Sequence, residues 1–150
     1  MPAILTAWVR VLGLGACAAV VACADQGGAK ALELKSDAKL ESGIGALWKG
    51  GGSVLLTSLT DFDWDGVVFY PEGTLASVIH TDLGQPVLGD QKYFTNARNL
   101  FVFRLQGKPV RLVLSSADLF ANADYGRVFG RGLTLTAKAP GVGLLTLSQR

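Results

Sequence analysis

The chain has 150 residues, with 14 Lys and Arg, 12 Asp and Glu and one histidine, and 49% of its residues are hydrophobic. This length suits one domain with its own core. The net charge is too balanced to suggest nucleic-acid binding, which uses a strongly basic surface. Both cysteines, Cys17 and Cys23, lie within the first 24 residues. The chain after them can form no internal disulfide, so its fold rests on burial.

Residues 1–24 predict an export signal. Arg10 is their only charge, and the apolar run that follows it is typical of a signal peptide but short for a bilayer span of about 20 residues. Val20-Val21-Ala22-Cys23 resembles the lipobox of bacterial lipoproteins, in which the cysteine is acylated and becomes the mature N-terminus. The resemblance implies a signal peptide over residues 1–22 and a lipid anchor at Cys23. The protein would then be membrane-anchored and face the periplasm or the cell exterior.

Two other processing routes remain open. Leu14-Gly15-Ala16-Cys17 is a second lipobox candidate, with a shorter apolar run before it. Ala22-Cys23-Ala24 also satisfies the small-x-small rule for cleavage before Asp25. That second cleavage would give a soluble secreted or periplasmic protein.

After the signal, small and polar residues predict a flexible tether over 23–35, followed by a single α+β domain over 36–150. Charge is divided unevenly along this mature chain. Residues 23–97 carry a net charge of −5, and residues 98–150 carry +6. The interpretation we favour is that the two halves pair within one fold. The alternative is a basic face for an anionic partner.

The first predicted helix begins after Ser36, which can cap it. An apolar stripe at helical spacing predicts its buried face, and Gly50-Gly51-Gly52 ends it. Gly43 and Gly45 each weaken the helix by roughly 1 kcal/mol relative to Ala. A strand over 54–57 follows. The apolar stripe of the first predicted helix consists of Leu40, Ile44, Leu47 and Trp48.

The stretch from Asp61 to Glu72 concentrates the acidic residues of the chain. Asp61, Asp63, Asp65, Gly66 and Glu72 match the spacing of the EF-hand calcium loop, whose carboxylate oxygens suit Ca²⁺. No helix is predicted before the loop, and Val67-Val68-Phe69-Tyr70 predicts a buried strand inside it. The favoured interpretation is therefore structural: the two aromatics of the stretch close the edge of the core, and the aspartates cap turns or meet arginines.

The same stretch carries a family resemblance. Phe62-Asp63-Trp64-Asp65, a short hydrophobic strand, Pro71 and a Thr-led helix resemble a family of small uncharacterised bacterial exported proteins and predicted lipoproteins. This chain has Tyr70-Pro71-Glu72-Gly73-Thr74 where that family has Pro-Tyr-Thr. The resemblance covers about 25 residues, and it implies an exported α+β domain without implying an activity.

A second helix is predicted from a Thr74 cap to Asp82, closed by Gly84. Its expected buried stripe is Leu75, Val78, Ile79 and Leu83. His80 is interpreted as an ordinary helix residue. Residues 85–98 look irregular, and long loops of this kind are often functional. Within this loop, Tyr93, Phe94 and Arg98 are the predicted partner contacts.

Two hairpins complete the predicted fold. The first joins strands over 100–105 and 110–114 around Gly107, with Phe103 opposite Val110. In that register Arg104 and Arg111 share the other face, where the aspartates of the acidic stretch could meet them. The second joins 133–136 to 142–147 through Ala139-Pro140-Gly141. The predicted fold is an antiparallel sheet of about five to six strands with two helices packed on one face.

These features predict a non-catalytic binding or envelope-maintenance module on an exported lipoprotein. Its expected partners are the membrane, through Cys23, and an envelope protein, with no nucleic acid and no cofactor. The first alternative is a calcium-binding exported protein that uses Asp61, Asp63, Asp65 and Glu72. The second is a carboxylate-dependent hydrolase, which is disfavoured because adjacent aspartates alone do not make a catalytic site.

Overall fold

The computed structural model describes residues 32–116, 119–121 and 124–149. The predicted signal peptide and Cys23 lie outside these residues. The described part contains two α-helices, one turn of 3₁₀ helix and nine strands. Neither helix in it has the length and apolarity needed to cross a membrane.

In the described residues, both helices come before the fourth strand, and the second helix is followed by strands. The helices are α1 (Ala38–Gly50) and α2 (Ala76–Leu83), and the 3₁₀ turn is Leu56–Leu59. The strands are β1 (Leu34–Ser36), β2 (Gly52–Leu55), β3 (Gly66–Tyr70), β4 (Arg98–Leu105), β5 (Lys108–Ser116), β6 (Phe120–Ala121), β7 (Phe129–Gly130), β8 (Leu133–Ala137) and β9 (Leu145–Gln149).

The strands form two mixed sheets. One has the order β1-β5-β4-β3-β7, and the other has the order β2-β8-β9-β6. β1 runs parallel to β5 and β6 runs parallel to β9, whereas the other pairs are antiparallel. The α+β class and the two helices are confirmed. The prediction of one antiparallel sheet is wrong, because β2 pairs with β8 of the last hairpin and these strands form a sheet of their own.

The two helices pack on opposite faces of the five-stranded sheet, so the prediction of both on one face is also wrong. All five residues of β3 are buried. Val67 and Phe69 join the core that contains the buried face of α1, whereas Val68 and Tyr70 join the core under α2. Successive residues of a strand point to opposite faces, so a continuous apolar strand needs a cover on each side.

We call the two hydrophobic clusters the first core and the second core. The first core lies between the five-stranded sheet, α1 and the four-stranded sheet, and includes Trp64, Phe69, Phe101, Phe103, Leu133, Leu135 and Leu145. The second core lies under α2, and includes Leu88, Phe94, Leu100, Val102 and Leu112. The chain therefore covers one sheet on both sides.

The ends of α1 follow from side-chain capping and glycine. Asp37, rather than the predicted Ser36, caps the helix, and its carboxylate accepts the N–H of Leu40 at 3.0 Å. Gly51 has a φ of 73° and donates its N–H to the Leu47 carbonyl at 2.8 Å. Leu40, Ile44 and Leu47 of the predicted stripe are buried, and its fourth residue, Trp48, is partly buried against the first core.

α2 is rotated relative to the prediction. It begins at Ala76, after the uncapped Leu75, and Thr74 donates its hydroxyl to the Pro71 carbonyl instead of capping the helix. Gly84 ends α2 in the left-handed conformation, as predicted. The buried residues are Ala76, Ile79 and Leu83, at spacings of three and four. Leu75 and Val78, which were assigned to the buried stripe, are exposed instead.

The β4–β5 hairpin has the predicted turn but a different register. Leu105 pairs with Lys108, and both Gln106 and Gly107 have positive φ, as a two-residue hairpin turn requires. A β-bulge between Phe103 and Arg104 then shifts the ladder. Phe103 therefore lies opposite Arg111 rather than Val110.

The folded part begins earlier than residue 36. Residues 31–150 form one compact unit. Within it, Leu34 pairs with Leu112 across β1 and β5, and Leu32 and Leu34 pack against the second core. The end of the predicted tether over 23–35 is thus part of the domain. Leu32, Glu33, Leu34 and Lys35 alternate apolar and charged, a strand signal that the sequence interpretation missed.

Candidate functional site

Trp64 fixes the acidic stretch to the first core. Its side chain is buried, its ring packs edge-on against Phe103 at 5.3 Å, and its Nε1 donates to the Thr60 hydroxyl at 2.9 Å. Arg131 donates to the Trp64 carbonyl at 2.6 Å. Because its indole N–H and its backbone carbonyl are both hydrogen-bonded, Trp64 holds the segment before β3 against the core, as the structural interpretation predicts.

Phe62 and Asp61 meet Arg111 at the edge of the first core. Phe62 packs edge-on against Phe103 at 4.9 Å, and the Arg111 guanidinium lies 4.4 Å from the Phe62 ring centre. Arg111 also lies 3.8 Å from the Asp61 carboxylate and 3.4 Å from the Asp37 carboxylate. The predicted meeting of an aspartate with Arg111 is confirmed. Asp37 is nearly buried and caps α1, so the Arg111 guanidinium is the cation that faces a helix-capping carboxylate.

The calcium-loop prediction is not supported by this arrangement. Asp65 accepts the N–H of Gln106 at 2.6 Å, and Glu72 accepts the N–H of Ala97 at 3.0 Å. These two residues stand at opposite ends of β3, and an extended strand separates them by roughly 20 Å at about 3.3 Å per residue. Among the described residues, no group of three or more His, Cys, Asp and Glu could hold a metal ion. The stretch forms a strand where a calcium loop would curl around an ion.

Acidic residues of the first half pair with basic residues of the second half. Glu41 pairs with Arg98 at 2.5 Å, Asp82 pairs with Arg104, and Asp37 and Asp61 face Arg111. This confirms the favoured interpretation of the uneven charge. Arg104 and Arg111 do not share a face, however, because the bulge leaves Val110 of β5 unpaired and places Arg111 opposite Phe103, on the side of the first core. Arg104 follows Phe103 in β4 and lies on the α2 side.

Arg104 lies at the C-terminal end of α2 with Asp82 and Tyr70. Its guanidinium pairs with the Asp82 carboxylate and donates to the carbonyls of Asp82 and Gly107. Burial raises the pKa of the Tyr70 hydroxyl far above its usual value, and the hydrogen bond to Asp82 and its negative charge add to this. Arg104 acts on that pKa in the opposite direction. At neutral pH Tyr70 is therefore a neutral phenol beside the Asp82 carboxylate.

The three predicted partner contacts are not one surface. Phe94 has no exposed area and belongs to the second core, so its assignment as a contact residue is wrong. Its backbone explains this: the Phe94 N–H donates to the Thr74 carbonyl and its carbonyl accepts from Gly73, both at 2.8 Å, which draws the loop onto the start of α2. Arg98 is held by Ser36 and Glu41. Tyr93 stays exposed.

The surface beside Tyr93 is the candidate contact site. Leu75, Val78 and Tyr93 are 43%, 48% and 41% exposed. Leu75 and Tyr93 form a β-bridge, and the Val78 N–H donates to the Leu75 carbonyl at 3.1 Å. We call these three residues the α2 patch. The sequence predicts Leu75 and Val78 in the core, because Leu75 is a more apolar start for a buried stripe than Ala76. The stripe that is buried in the structure consists of Ala76, Ile79 and Leu83.

His80 and a surface groove offer few groups that could bind or react with a ligand. His80 accepts the N–H of Leu88 at 3.2 Å, which confirms its interpretation as a satisfied helix residue. A surface groove of about 520 Å³ lies between β6 and the segment from β8 to β9. Lys138, Val142 and Leu144 line it, so it offers one ammonium group among aliphatic side chains.

Comparison of the chain with models of known protein families, with curated proteins and with solved structures finds no match.

Proposed function

We propose that this protein is an exported lipoprotein of the bacterial cell envelope, and that its folded unit is a non-catalytic binding module. The observation that carries the proposal is the distance along the chain between Cys23 and the fold. Only the eight residues 24–31 separate the lipobox cysteine from Leu32, which already packs against the second core. A lipid on Cys23 would hold the module directly at a membrane surface.

The contacts that the Asp61, Asp65 and Glu72 carboxylates make within the fold support a binding function rather than a catalytic one. Asp65 and Glu72 accept backbone N–H groups, and Asp61 faces Arg111. A hydrolase that uses a carboxylate pair needs two such groups free on either side of a substrate. The α2 patch, by contrast, offers apolar side chains to a partner. Exposed aromatic and aliphatic side chains together are the usual anchors of a contact surface.

Fractionation and mass spectrometry of the mature N-terminus test this function. We expect the wild-type protein in the membrane fraction, with an N-terminal peptide that begins at Cys23 and carries acyl chains. Cys23→Ala should abolish the modification and release the protein from that fraction. Cys17→Ala is the matched control and should leave both unchanged.

A mature chain that begins at Asp25 without acyl chains would contradict the proposal. That result would support the alternative of a soluble secreted or periplasmic protein.

A further inference from the structure

The helix of the α2 patch and the first described residues of the chain pack on the same core. Leu32 and Leu34 pack against the second core, which is the core that α2 covers. β1 lies at the edge of the five-stranded sheet, with Leu34 opposite Leu112 of that same core. Leu32, Leu34 and α2, which carries Val78 and directly follows Leu75, thus share one face of the sheet.

Covalent geometry limits how far this face can lie from a lipid on Cys23. Whatever conformation residues 24–31 adopt, eight residues span at most about 29 Å at about 3.6 Å per residue. A unit of this size has a radius of gyration of about 14 Å. The greatest length that residues 24–31 can span is therefore close to twice the radius of gyration of the folded unit.

We infer that the α2 patch contacts the lipid bilayer in which acylated Cys23 is anchored. This inference rests on the proposed lipid anchor and names the membrane surface as the partner of the α2 patch. A short anchor raises the effective concentration of the patch at the bilayer, so that a contact too weak to bind alone is populated.

The chemistry of the α2 patch suits the boundary between headgroups and acyl chains. Leu75 and Val78 are aliphatic, and the exposed Tyr93 carries an apolar ring with a polar end, a residue type enriched at that boundary. The Lys92 ammonium lies 5.4 Å from the Tyr93 ring centre, and a lysine beside apolar groups can extend to the headgroups. Asp90, in the same loop, opposes that charge. The contact is accordingly apolar and needs no anionic lipid.

Depth-dependent quenching of tryptophan tests this contact without requiring cellular acylation. The chain from Cys23 onward has one thiol, which can be coupled to a maleimide lipid in vesicles that contain lipids brominated in the upper acyl chain. Val78→Trp places a probe in the α2 patch. Val142→Trp is the matched control, since Val142 is 67% exposed and lies on the turn between β8 and β9.

After subtraction of the parent protein, which contains Trp48 and Trp64, we expect several-fold stronger quenching at position 78 than at position 142. Adding Leu75→Ser and Tyr93→Ser to Val78→Trp should reduce that quenching toward the control value. Neutral and anionic vesicles should give the same result.

Equal quenching at positions 78 and 142 would overturn the bilayer contact while the proposed lipid anchor still stood, and would leave the patch for a protein partner. A requirement for anionic lipid would overturn its apolar basis. Cys23 found without acyl chains in cells would instead overturn the proposed function, which the coupled protein does not test.

Discussion

The acidic residues that stand out in the sequence act through contacts that differ from one residue to the next. Asp37 caps α1 and faces Arg111, whereas Asp65 accepts a backbone N–H from the β4–β5 turn. The Asp37 carboxylate satisfies the buried N–H of Leu40, which loses water on folding, whereas the Asp65 contact lies at the surface. At the scale of single residues, these acids stabilise the ends of helices and strands.

Replacing Arg111 with Leu should lower the free energy of unfolding by about 1 kcal/mol, because the nearly buried Asp37 carboxylate loses its nearest cation. Chemical denaturation measures this change. In an Asp37→Asn background the loss should be smaller, since Asn preserves the helix cap without the negative charge. An equal loss in both backgrounds would show that Arg111 stabilises the fold through Phe62 and Asp61 rather than through Asp37.

The raised pKa of Tyr70 predicts that the folded protein loses stability at alkaline pH. Its pKa is raised in the folded protein, so above about pH 10 the unfolded chain gives up this proton while the folded protein keeps it. The stabilisation is complete below the unfolded pKa and is lost as the pH rises toward the folded one. The free energy of unfolding should therefore fall above about pH 10, less steeply in Tyr70→Phe. Identical slopes in the two proteins would contradict this prediction.

At the scale of elements, the two glycines inside α1 have different roles. A Cβ at Gly43 would lie 2.6 Å from Leu59 Cδ2, in the 3₁₀ turn that packs beside the helix. A Cβ at Gly45 would meet nothing within 4 Å. Gly43 therefore allows the close approach of two elements, whereas Gly45 only weakens the helix.

The matched pair Gly45→Ala and Gly43→Ala tests this difference. Gly45→Ala should raise the free energy of unfolding by about 1 kcal/mol, because alanine restricts the unfolded chain and favours the helix. Gly43→Ala gains the same propensity but must displace the Leu59 side chain. It should therefore be less stable than Gly45→Ala, by up to about 1 kcal/mol, since the end of the partly buried Leu59 side chain can shift. Thermal or denaturant unfolding of both variants measures the difference, and equal gains would exclude the close contact.

At the scale of the whole molecule, one sheet organises two cores. β3 and β4 supply apolar side chains to both faces, and the covers come from distant parts of the chain: α1 and the four-stranded sheet on one side, α2 and the loop that contains Phe94 on the other. The ion pairs between acidic residues of the first half and basic residues of the second half follow the same long-range connection.

Removal of β1 should destabilise the molecule as a whole. A chain that begins at Asp37 lacks the β1–β5 pairing and the packing of Leu32 and Leu34 on the second core. Its melting temperature should be several degrees lower than that of a chain beginning at Ala31, since burial of one leucine side chain contributes about 2 kcal/mol. A chain from Asp37 with an unchanged melting temperature would place the domain boundary at 36 after all.

Local signals in the sequence determined the helices, the hairpins and the role of Trp64. Periodicity and glycine positions located α1, the β4–β5 turn and the Ala139–Gly141 turn, because each depends on residues close together in the chain. The alternating run from Leu32 to Lys35 contained β1 as well, but it was interpreted as tether.

Only the tertiary structure decided how these elements combine. Val67-Val68-Phe69-Tyr70 shows that a strand is buried, but a pattern apolar on both faces does not say which element covers which side. The rotation of α2 was ambiguous, because Leu75 and Ala76 can each begin an apolar stripe, and packing on the second core selects the second. The α2 patch, and with it the candidate contact surface, follows from that choice.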